Sequence, residues 1–195
     1  MMSARRSLGA ALVFLLLVGG ALALACGRWM RPIAEADAAL DAGDWDRALT
    51  SYAIAEARFD RLPLARELLA RDYARAVGAQ LWIYYHQRRF DELIDKAERS
   101  PEAADPHFWS GLAFFEKSRG EGKPDAQFGW LTRAEQGLRR AVEAAPDDWD
   151  TKYDFELVSR LATALRKQPK TPPNQLMQLL RPQPRAGAKP GRQVG

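Results

Sequence analysis

The distribution of apolar and polar positions divides the chain into three regions. Residues 8–27 contain no charged side chain, whereas residues 32–168 repeat apolar and small residues at helical spacing, with no sustained alternating stretch. Residues 169–195 contain six prolines, five basic residues and no acidic residue. We therefore predict a cytoplasmic N-terminus and transmembrane signal anchor in residues 1–31, an all-α domain in residues 32–168 and a Pro-rich, basic, disordered tail in residues 169–195.

The apolar stretch 8–27 has the length of a membrane span. As a helix that rises about 1.5 Å per residue it covers roughly 30 Å, which matches the hydrocarbon thickness of a bilayer. Arg5 and Arg6 precede it and favour a cytoplasmic N-terminus, although Arg28 and Arg31 follow it. We expect a single-pass protein of the bacterial inner membrane, held by residues 8–27, with its domain on the periplasmic side.

Three other export signals share some of these features. A basic start followed by an apolar core also describes a cleaved signal peptide. Residues 22–25, Leu-Ala-Leu-Ala, loosely match the sequence ahead of an acylated lipoprotein cysteine, which would here be Cys26. The pair Arg5-Arg6 fits the start of a twin-arginine signal, but the rest of that motif is missing. We favour the uncleaved anchor and keep acylation of Cys26 as the alternative.

Cysteine content and charge exclude several classes of domain. Cys26 is the only cysteine, so the exported domain forms no internal disulfide and no thiolate metal site. The net charge of the whole chain is +4, but residues 32–168 hold 20 basic and 25 acidic residues. A nucleic-acid-binding domain needs a basic face on its folded body. We therefore expect protein partners and no nucleic acid.

Three segments of the domain resemble tetratricopeptide repeats. A turn glycine ends one helix in a conformation that other residues resist, and small residues in the next helix allow two helices to approach closely. In the second segment Arg88 stands where the turn glycine is expected. The predicted packing residues are Gly43, Trp45, Ala48, Tyr52 and Ala55 in the first segment; Phe90, Leu93 and Ala97 in the second; and Trp109, Leu112, Ala134, Leu138, Ala141 and Pro146 in the third.

The resemblance implies antiparallel helical hairpins that present a concave surface to a partner protein. Residues 119–128 contain Gly120, Gly122 and Pro124 and are predicted to form a surface loop inside the third segment. Residues 147–167 are predicted to form a last helix, with acidic residues in its first turn and basic residues in its last, that caps the array.

Few residues have the spacing of a chemical site. Trp82, Tyr84 and Tyr85 could line a partner groove, although core packing explains most aromatic residues equally well. His86 and His107 do not share a metal-binding spacing. The aspartates at positions 147, 148, 150 and 154 fit a helix cap better than a calcium loop, because the glycine turn and the closing glutamate are missing. We expect no catalytic site, no cofactor and no metal.

The anchor, the short degenerate repeats and the segment 144–157 (AAPDDWDTKYDFEL) together resemble small bacterial repeat proteins encoded beside MoxR-type ATPases and von Willebrand factor A proteins. In size and layout the chain is similar to the MxaK family of methanol-oxidation operons. That resemblance implies an accessory role in maturing a periplasmic methanol dehydrogenase, together with the ATPase and von Willebrand factor A proteins. The alternative is an acylated lipoprotein that assists envelope or secretion assembly.

Overall fold

The computed structural model of the chain describes residues 2–167, with side chains from position 14 onward. These residues contain no strand, which confirms the predicted all-α class; the predicted tail, residues 169–195, lies outside them. A short 3-10 turn at Glu102–Ala104 precedes the sixth helix. The helices are α1 (Met2–Asp41), α2 (Trp45–Arg61), α3 (Pro63–Leu68), α4 (Ala70–His86), α5 (Phe90–Ala97), α6 (Pro106–Gly120), α7 (Pro124–Ala144) and α8 (Trp149–Lys167).

Helix α1 has two parts with different surroundings. Its first part exposes apolar side chains such as Leu16 and Leu24, whereas Ile33 and Ala36 further along are buried in the core. Over Phe14–Asp41 the helix is long and apolar enough, by length and composition, to cross a membrane. This agrees with the prediction of one N-terminal candidate span. The helix continues without a break through the predicted boundary between residues 31 and 32, and packing against the core begins at Trp29.

Two pairs of successive helices, α1–α2 and α6–α7, run antiparallel. The Tyr52 hydroxyl in α2 donates to Asp37 of α1 at 2.6 Å, and Arg58, further along α2, donates to the Trp29 carbonyl at 3.1 Å. Contact residues further along α2 therefore have partners nearer the start of α1, as antiparallel packing requires. Helices α6 and α7 are also antiparallel. Gly111 of α6 lies against Gly137 of α7, whereas Phe114, further along α6, stacks on Trp130, which is earlier in α7.

Two apolar clusters hold the array together. The larger one joins α1, α2, α4 and α5, and its fully buried side chains include Tyr52, Phe59, Leu81 and Leu93. The smaller one lies between α7 and α8 and receives partly buried aromatic rings from α6. Its buried members are Leu131, Ala134, Leu138, Val158 and Ala162. The buried apolar side chains are therefore divided between two clusters rather than gathered in one central core.

The turns after α1 and α4 have the same backbone geometry. Gly43 has φ 75° and Arg88 has φ 59°, so both lie in the left-handed region. The Gly43 N–H donates to the Leu40 carbonyl, and the following N–H donates five residues back. The Arg88 N–H donates to the Tyr85 carbonyl, and the next N–H again reaches five residues back. Arg88 therefore adopts the conformation that the sequence pattern assigns to glycine.

The polar insertion differs from the prediction. The predicted surface loop at residues 119–128 is wrong, because α6 continues to Gly120 and α7 begins at Pro124. Proline is well placed in the first turn of a helix, where its missing N–H has no intrahelical partner to lose. The predicted last helix is present. Its start is capped by the Asp148 carboxylate, which accepts from the Thr151 hydroxyl at 2.6 Å and from the Asp150 N–H at 3.1 Å.

Candidate partner-binding groove

A concave apolar surface lies between α1, α4 and α6. Its volume is about 460 Å³, and its lining includes two tryptophans, Trp82 and Trp109. The small residues Gly78 and Ala79 of α4 and Leu40 of α1 also line it. We call this surface the tryptophan groove. It is lined by Leu40, Ala74, Arg75, Gly78, Ala79, Trp82, Ala103, Ala104, Asp105 and Trp109.

The three predicted groove aromatics do not all reach this surface. Trp82 lines the tryptophan groove. Tyr85 lies beside it, with its ring centroid 5.8 Å from that of Trp109. Tyr84 instead packs under the guanidinium of Arg89, 4.8 Å from the ring centroid. The groove therefore combines one predicted aromatic residue with Trp109, which the repeat pattern assigned to helix packing.

Arg75, which lines the groove, is paired with an aspartate of α1. Arg75 Nη1 lies 2.8 Å from Asp37 Oδ2, and the Tyr52 hydroxyl donates to the other oxygen of the same carboxylate. Burial, and then the hydrogen bond to Asp37, raises the pKa of Tyr52. This triad ties α1, α2 and α4 together. Because Arg75 is paired with Asp37, it adds little net charge to the groove.

The groove also has an acidic lining residue, Asp105, which directly precedes α6. Desolvation and then the neighbouring Asp148 carboxylate raise the pKa of Asp105. Desolvation, and then Asp150 and Asp148, raise the pKa of Asp154 in α8. Among the side chains of residues 14–167, neither Asp105 nor Asp154 forms an ion pair within 4.0 Å. We call Asp105, Asp148, Asp150 and Asp154 the acidic rim.

The repeat-packing residues occupy the helix contacts or the turns between them. Those that are partly buried and pack against the two clusters are Trp45, Phe90, Trp109 and Leu112. Gly43 forms the first turn, and Pro146 is exposed in the turn between α7 and α8. The buried ones are Ala48, Tyr52 and Ala55 in α2, Leu93 and Ala97 in α5, and Ala134, Leu138 and Ala141 in α7.

Sequence reasoning missed a close backbone contact between α6 and α7. A Cβ atom on Gly137 would lie 3.0 Å from the Gly111 Cα, and one on Gly111 would lie 2.9 Å from the Leu138 Cγ. Helices α6 and α7 therefore approach through a pair of glycines. A glycine inside a strongly helical stretch was the available signal, because glycine is costly there without a packing reason.

The remaining candidates for chemistry are dispersed. His86 stacks on Trp82 with centroids 3.9 Å apart, and its Nδ1 lies 2.9 Å from the Trp82 carbonyl. His107 lies 3.4 Å from Glu102. Cys26 is exposed on α1. No group of three or more His, Cys, Asp or Glu side chains in the described part of the chain is placed to hold a metal ion.

The last helix presents a second apolar surface. Trp149 and Tyr153 are 78% and 70% exposed, and Leu157 and Leu161 continue the same spacing of four residues along α8. The opposite side of α8 buries Val158 against α7. A helix that closes a repeat array has a polar outer face. The outer face of α8 is apolar instead, which differs from the expected cap.

Comparisons of this chain with protein-family models, with curated proteins and with solved structures find no match. The contacts within the array and the chemistry of its surfaces are therefore the basis for assigning a function.

Proposed function

We propose that the chain is a membrane-anchored periplasmic scaffold of degenerate tetratricopeptide-like repeats, which binds a partner protein and catalyses no reaction. The two left-handed turns support the repeats, since Gly43 and Arg88 lie 45 residues apart and each is followed two residues later by an aromatic residue, Trp45 or Phe90. This spacing lies within the roughly 20 to 50 residues of repeat arrays in general and exceeds the period of about 34 residues of tetratricopeptide repeats, so the proposed repeats are degenerate in length as well as in sequence. The antiparallel packing of successive helices agrees with such an array.

The tryptophan groove and the acidic rim support a specific partner chemistry. Indole rings provide large contact areas at low entropic cost, and tryptophan is enriched where binding energy concentrates. Carboxylates without an internal cation favour a positively charged ligand. We therefore propose that the groove binds a protein segment with apolar side chains followed by lysine or arginine. The observation that carries this proposal is the adjacency of two indoles and the unpaired Asp105.

Helix α1 supports a rigid attachment to the membrane. The candidate span and the first packed helix of the array are one continuous helix, and core packing begins two residues after Gly27. A linker of flexible residues would let the array rotate freely, whereas a continuous helix transmits the orientation of the span. The groove is thereby held at a limited distance from the membrane surface.

The role in a cell that we propose follows the family resemblance. The scaffold would act as an accessory or maturation factor for a periplasmic enzyme such as methanol dehydrogenase, together with MoxR-type ATPase and von Willebrand factor A proteins. The anchor and a protein-binding groove support such a role. Co-purification of the detergent-extracted full chain tests it, and repeated recovery of none of these three proteins would argue against it.

Site-specific photocrosslinking tests the groove itself. A benzoylphenylalanine at position 79, inside the groove, is expected to crosslink a partner in cells, and Trp109→Ala is expected to remove most of that product. The matched control is the same crosslinker at Ala53, which is exposed on α2 and outside the groove. Equal products from both positions, or a product that survives Trp109→Ala and Asp105→Asn together, would argue against the groove as the binding surface.

The acylated lipoprotein is retained as the second candidate because Cys26 is exposed and lies three residues before Trp29, where packing begins. Cleavage ahead of Cys26 would leave the packed array intact. Mass spectrometry of the mature chain distinguishes the two candidates. An N-terminus at Met1 or Met2 supports the anchor, whereas a diacylglyceryl-modified N-terminal Cys26 supports the lipoprotein.

A further inference from the structure

The end of α2 meets α1 at the point where the apolar stretch ends. Arg58 Nη1 donates to the carbonyls of Arg28 at 3.0 Å and of Trp29 at 3.1 Å. A surface cavity of about 540 Å³ at this junction is lined by Ala25, Arg28, Trp29, Arg58, Arg61 and Leu62. The apolar stretch ends at Gly27, so a membrane crossed by α1 has its surface at the level of this junction. The chain that follows α2 therefore starts at the membrane surface.

Helix α3, which follows α2, exposes its leucines. Leu62, Leu64 and Leu68 are 47%, 64% and 75% exposed, and no residue of α3 is buried. Leu64 and Leu68 lie four residues apart and share one face of the helix. Single exposed leucines are common on protein surfaces, but here three lie within seven residues, and none of them belongs to the two apolar clusters.

The same corner is basic. Residues 58–68 contain three arginines and two acidic residues, Asp60 and Glu67, and Arg28 lies across the junction. Arg28 and Arg61 are exposed, and neither is in an ion pair with an acidic side chain of residues 14–167. Arg66 is held between Asp60, at 3.9 Å, and the Tyr73 ring. Trp29, at the end of the apolar stretch, packs edge-on against Phe59 in the larger apolar cluster, so the corner's free polar groups are its arginines.

We infer that the corner formed by Arg58, Arg61, Leu62, Leu64 and Leu68 lies on the phospholipid bilayer that α1 crosses. The leucines enter the boundary between headgroups and acyl chains, and the arginines contact lipid phosphates. This inference rests on the proposed anchoring by α1. It goes further because a second contact point stops rotation of the array about the α1 axis. The tryptophan groove then faces one direction relative to the membrane.

Fluorescence quenching on the reconstituted full chain tests the contact. Single cysteines are placed by Leu16→Cys, Leu64→Cys or Ala42→Cys in a Cys26→Ser background, labelled with an environment-sensitive dye and reconstituted into vesicles of phosphatidylethanolamine and phosphatidylglycerol. Ala42 is exposed at the far end of α1 and serves as the water-facing control. Nitroxide lipids labelled deep in the acyl chain are expected to quench position 16. Nitroxides near the headgroup are expected to quench position 64, and neither is expected to quench position 42.

The outcomes separate this inference from the anchor. Quenching at position 16 without quenching at position 64 would overturn the bilayer contact and leave the anchor intact. Absence of lipid quenching at both positions would overturn the anchor and the contact together. A blue shift at position 64 without lipid quenching would indicate self-association of the protein through α3, and would also overturn the contact.

Two variants address the chemistry of the contact without disturbing the fold. Leu68→Gln in the chain labelled at position 64 is expected to reduce headgroup-level quenching toward that of position 42, with position 16 unchanged. Leu68 makes no buried contact, so the thermal unfolding midpoint is expected to stay the same. Replacing phosphatidylglycerol with phosphatidylcholine is expected to lower quenching at position 64 only. Unchanged quenching at position 64 in both experiments would contradict the assignment of these leucines and arginines to lipid.

Discussion

Between α1 and α2 the buried residues include alanines, among them Ala36 and Ala48, and the contact includes a polar group, Tyr52 bonded to Asp37. Between α6 and α7 the close contact is made by glycines, Gly111 and Gly137, whose backbones leave no room for a methyl group. A smaller side chain permits a shorter distance between helix axes but loses apolar surface and backbone rigidity. The first pair therefore tolerates small changes through side-chain adjustment, whereas the second depends on backbone contact.

Gly137→Ala is expected to have the largest effect on stability. The added methyl would lie 3.0 Å from the Gly111 Cα, and a backbone atom within a helix cannot move aside easily. We expect a loss of about 2 kcal/mol in the free energy of unfolding, since overpacking outweighs the better helix propensity of alanine. Thermal unfolding of the detergent-solubilised full chain, followed by circular dichroism, measures the change.

A control for Gly137→Ala exists on the same helix. Gly129 also lies within α7, and a Cβ there would meet nothing within 4 Å. Gly129→Ala is expected to stabilise the protein by about 0.5 to 1 kcal/mol through helix propensity alone. If both substitutions change the unfolding midpoint in the same direction, the glycine contact does not hold α6 against α7.

Tyr52→Phe tests the polar contact of the first pair. The substitution keeps the ring in the core and removes the hydrogen bond to Asp37, which retains Arg75 as a partner. We expect a loss of about 1 kcal/mol, because an intramolecular hydrogen bond contributes a modest net stability. Denaturant unfolding measures it. In the Asp37→Ala background, which has no acceptor at this position, a loss of the same size would show that the hydroxyl does not act through that carboxylate.

Substitutions in the two left-handed turns are expected to change the stability of the protein in opposite directions. Arg88→Gly removes the steric cost of φ 59° and is expected to stabilise the array by up to about 1 kcal/mol, whereas Gly43→Ala is expected to destabilise it by about 1 kcal/mol. The unfolding midpoints of both variants, compared with that of the unaltered chain, measure the two changes in stability. Destabilisation by Arg88→Gly would mean that contacts of the arginine side chain outweigh the strain of its backbone.

Asp154→Asn is expected to have the smallest effect, with a characteristic pH dependence. Desolvation and the neighbouring Asp150 and Asp148 raise the pKa of Asp154, so its charged form is less favourable in the folded state. Above the folded pKa this charge lowers stability, and as pH falls below the ordinary value of 3.8 the penalty disappears. The variant is expected to raise the unfolding midpoint slightly at neutral pH and not at low pH. A difference that persists at low pH would point to another cause.

Particular residues show how far sequence reasoning reached. Apolar spacing identified a helical domain, and nearly all residues assigned to helix packing in α2, α5 and α7 are buried, with Ala48 and Leu138 fully enclosed. The turn glycine at position 43 was recognised because its conformation is costly for other residues. Arg88 adopts nearly the same φ without being glycine, and no local pattern requires that of an arginine. The turn was expected there only because Arg88 stands where the second predicted repeat should have its turn glycine.

The candidate groove was predicted less completely. Trp82 was identified as an aromatic residue on a helix. Its place beside Trp109 and Asp105 does not follow from spacing, because Trp82 lies in α4, whereas the other two lie in or directly before α6, with α5 between. The helical character of residues 124–128 was also missed. Glycine and proline mark both turns and helix starts, and the local sequence does not distinguish them.

The amino-acid sequence by itself determined the helical class, the apolar stretch of α1 and several buried positions of α2, α5 and α7, because helical periodicity and apolar content are local properties of the chain. The tertiary structure decided the glycine contact between α6 and α7, the grouping of indoles and carboxylates around one groove, and the exposure of leucines beside the end of the apolar stretch. Each of these depends on distances between helices that are far apart in sequence. Such distances are set by how all the side chains at the contacts pack together.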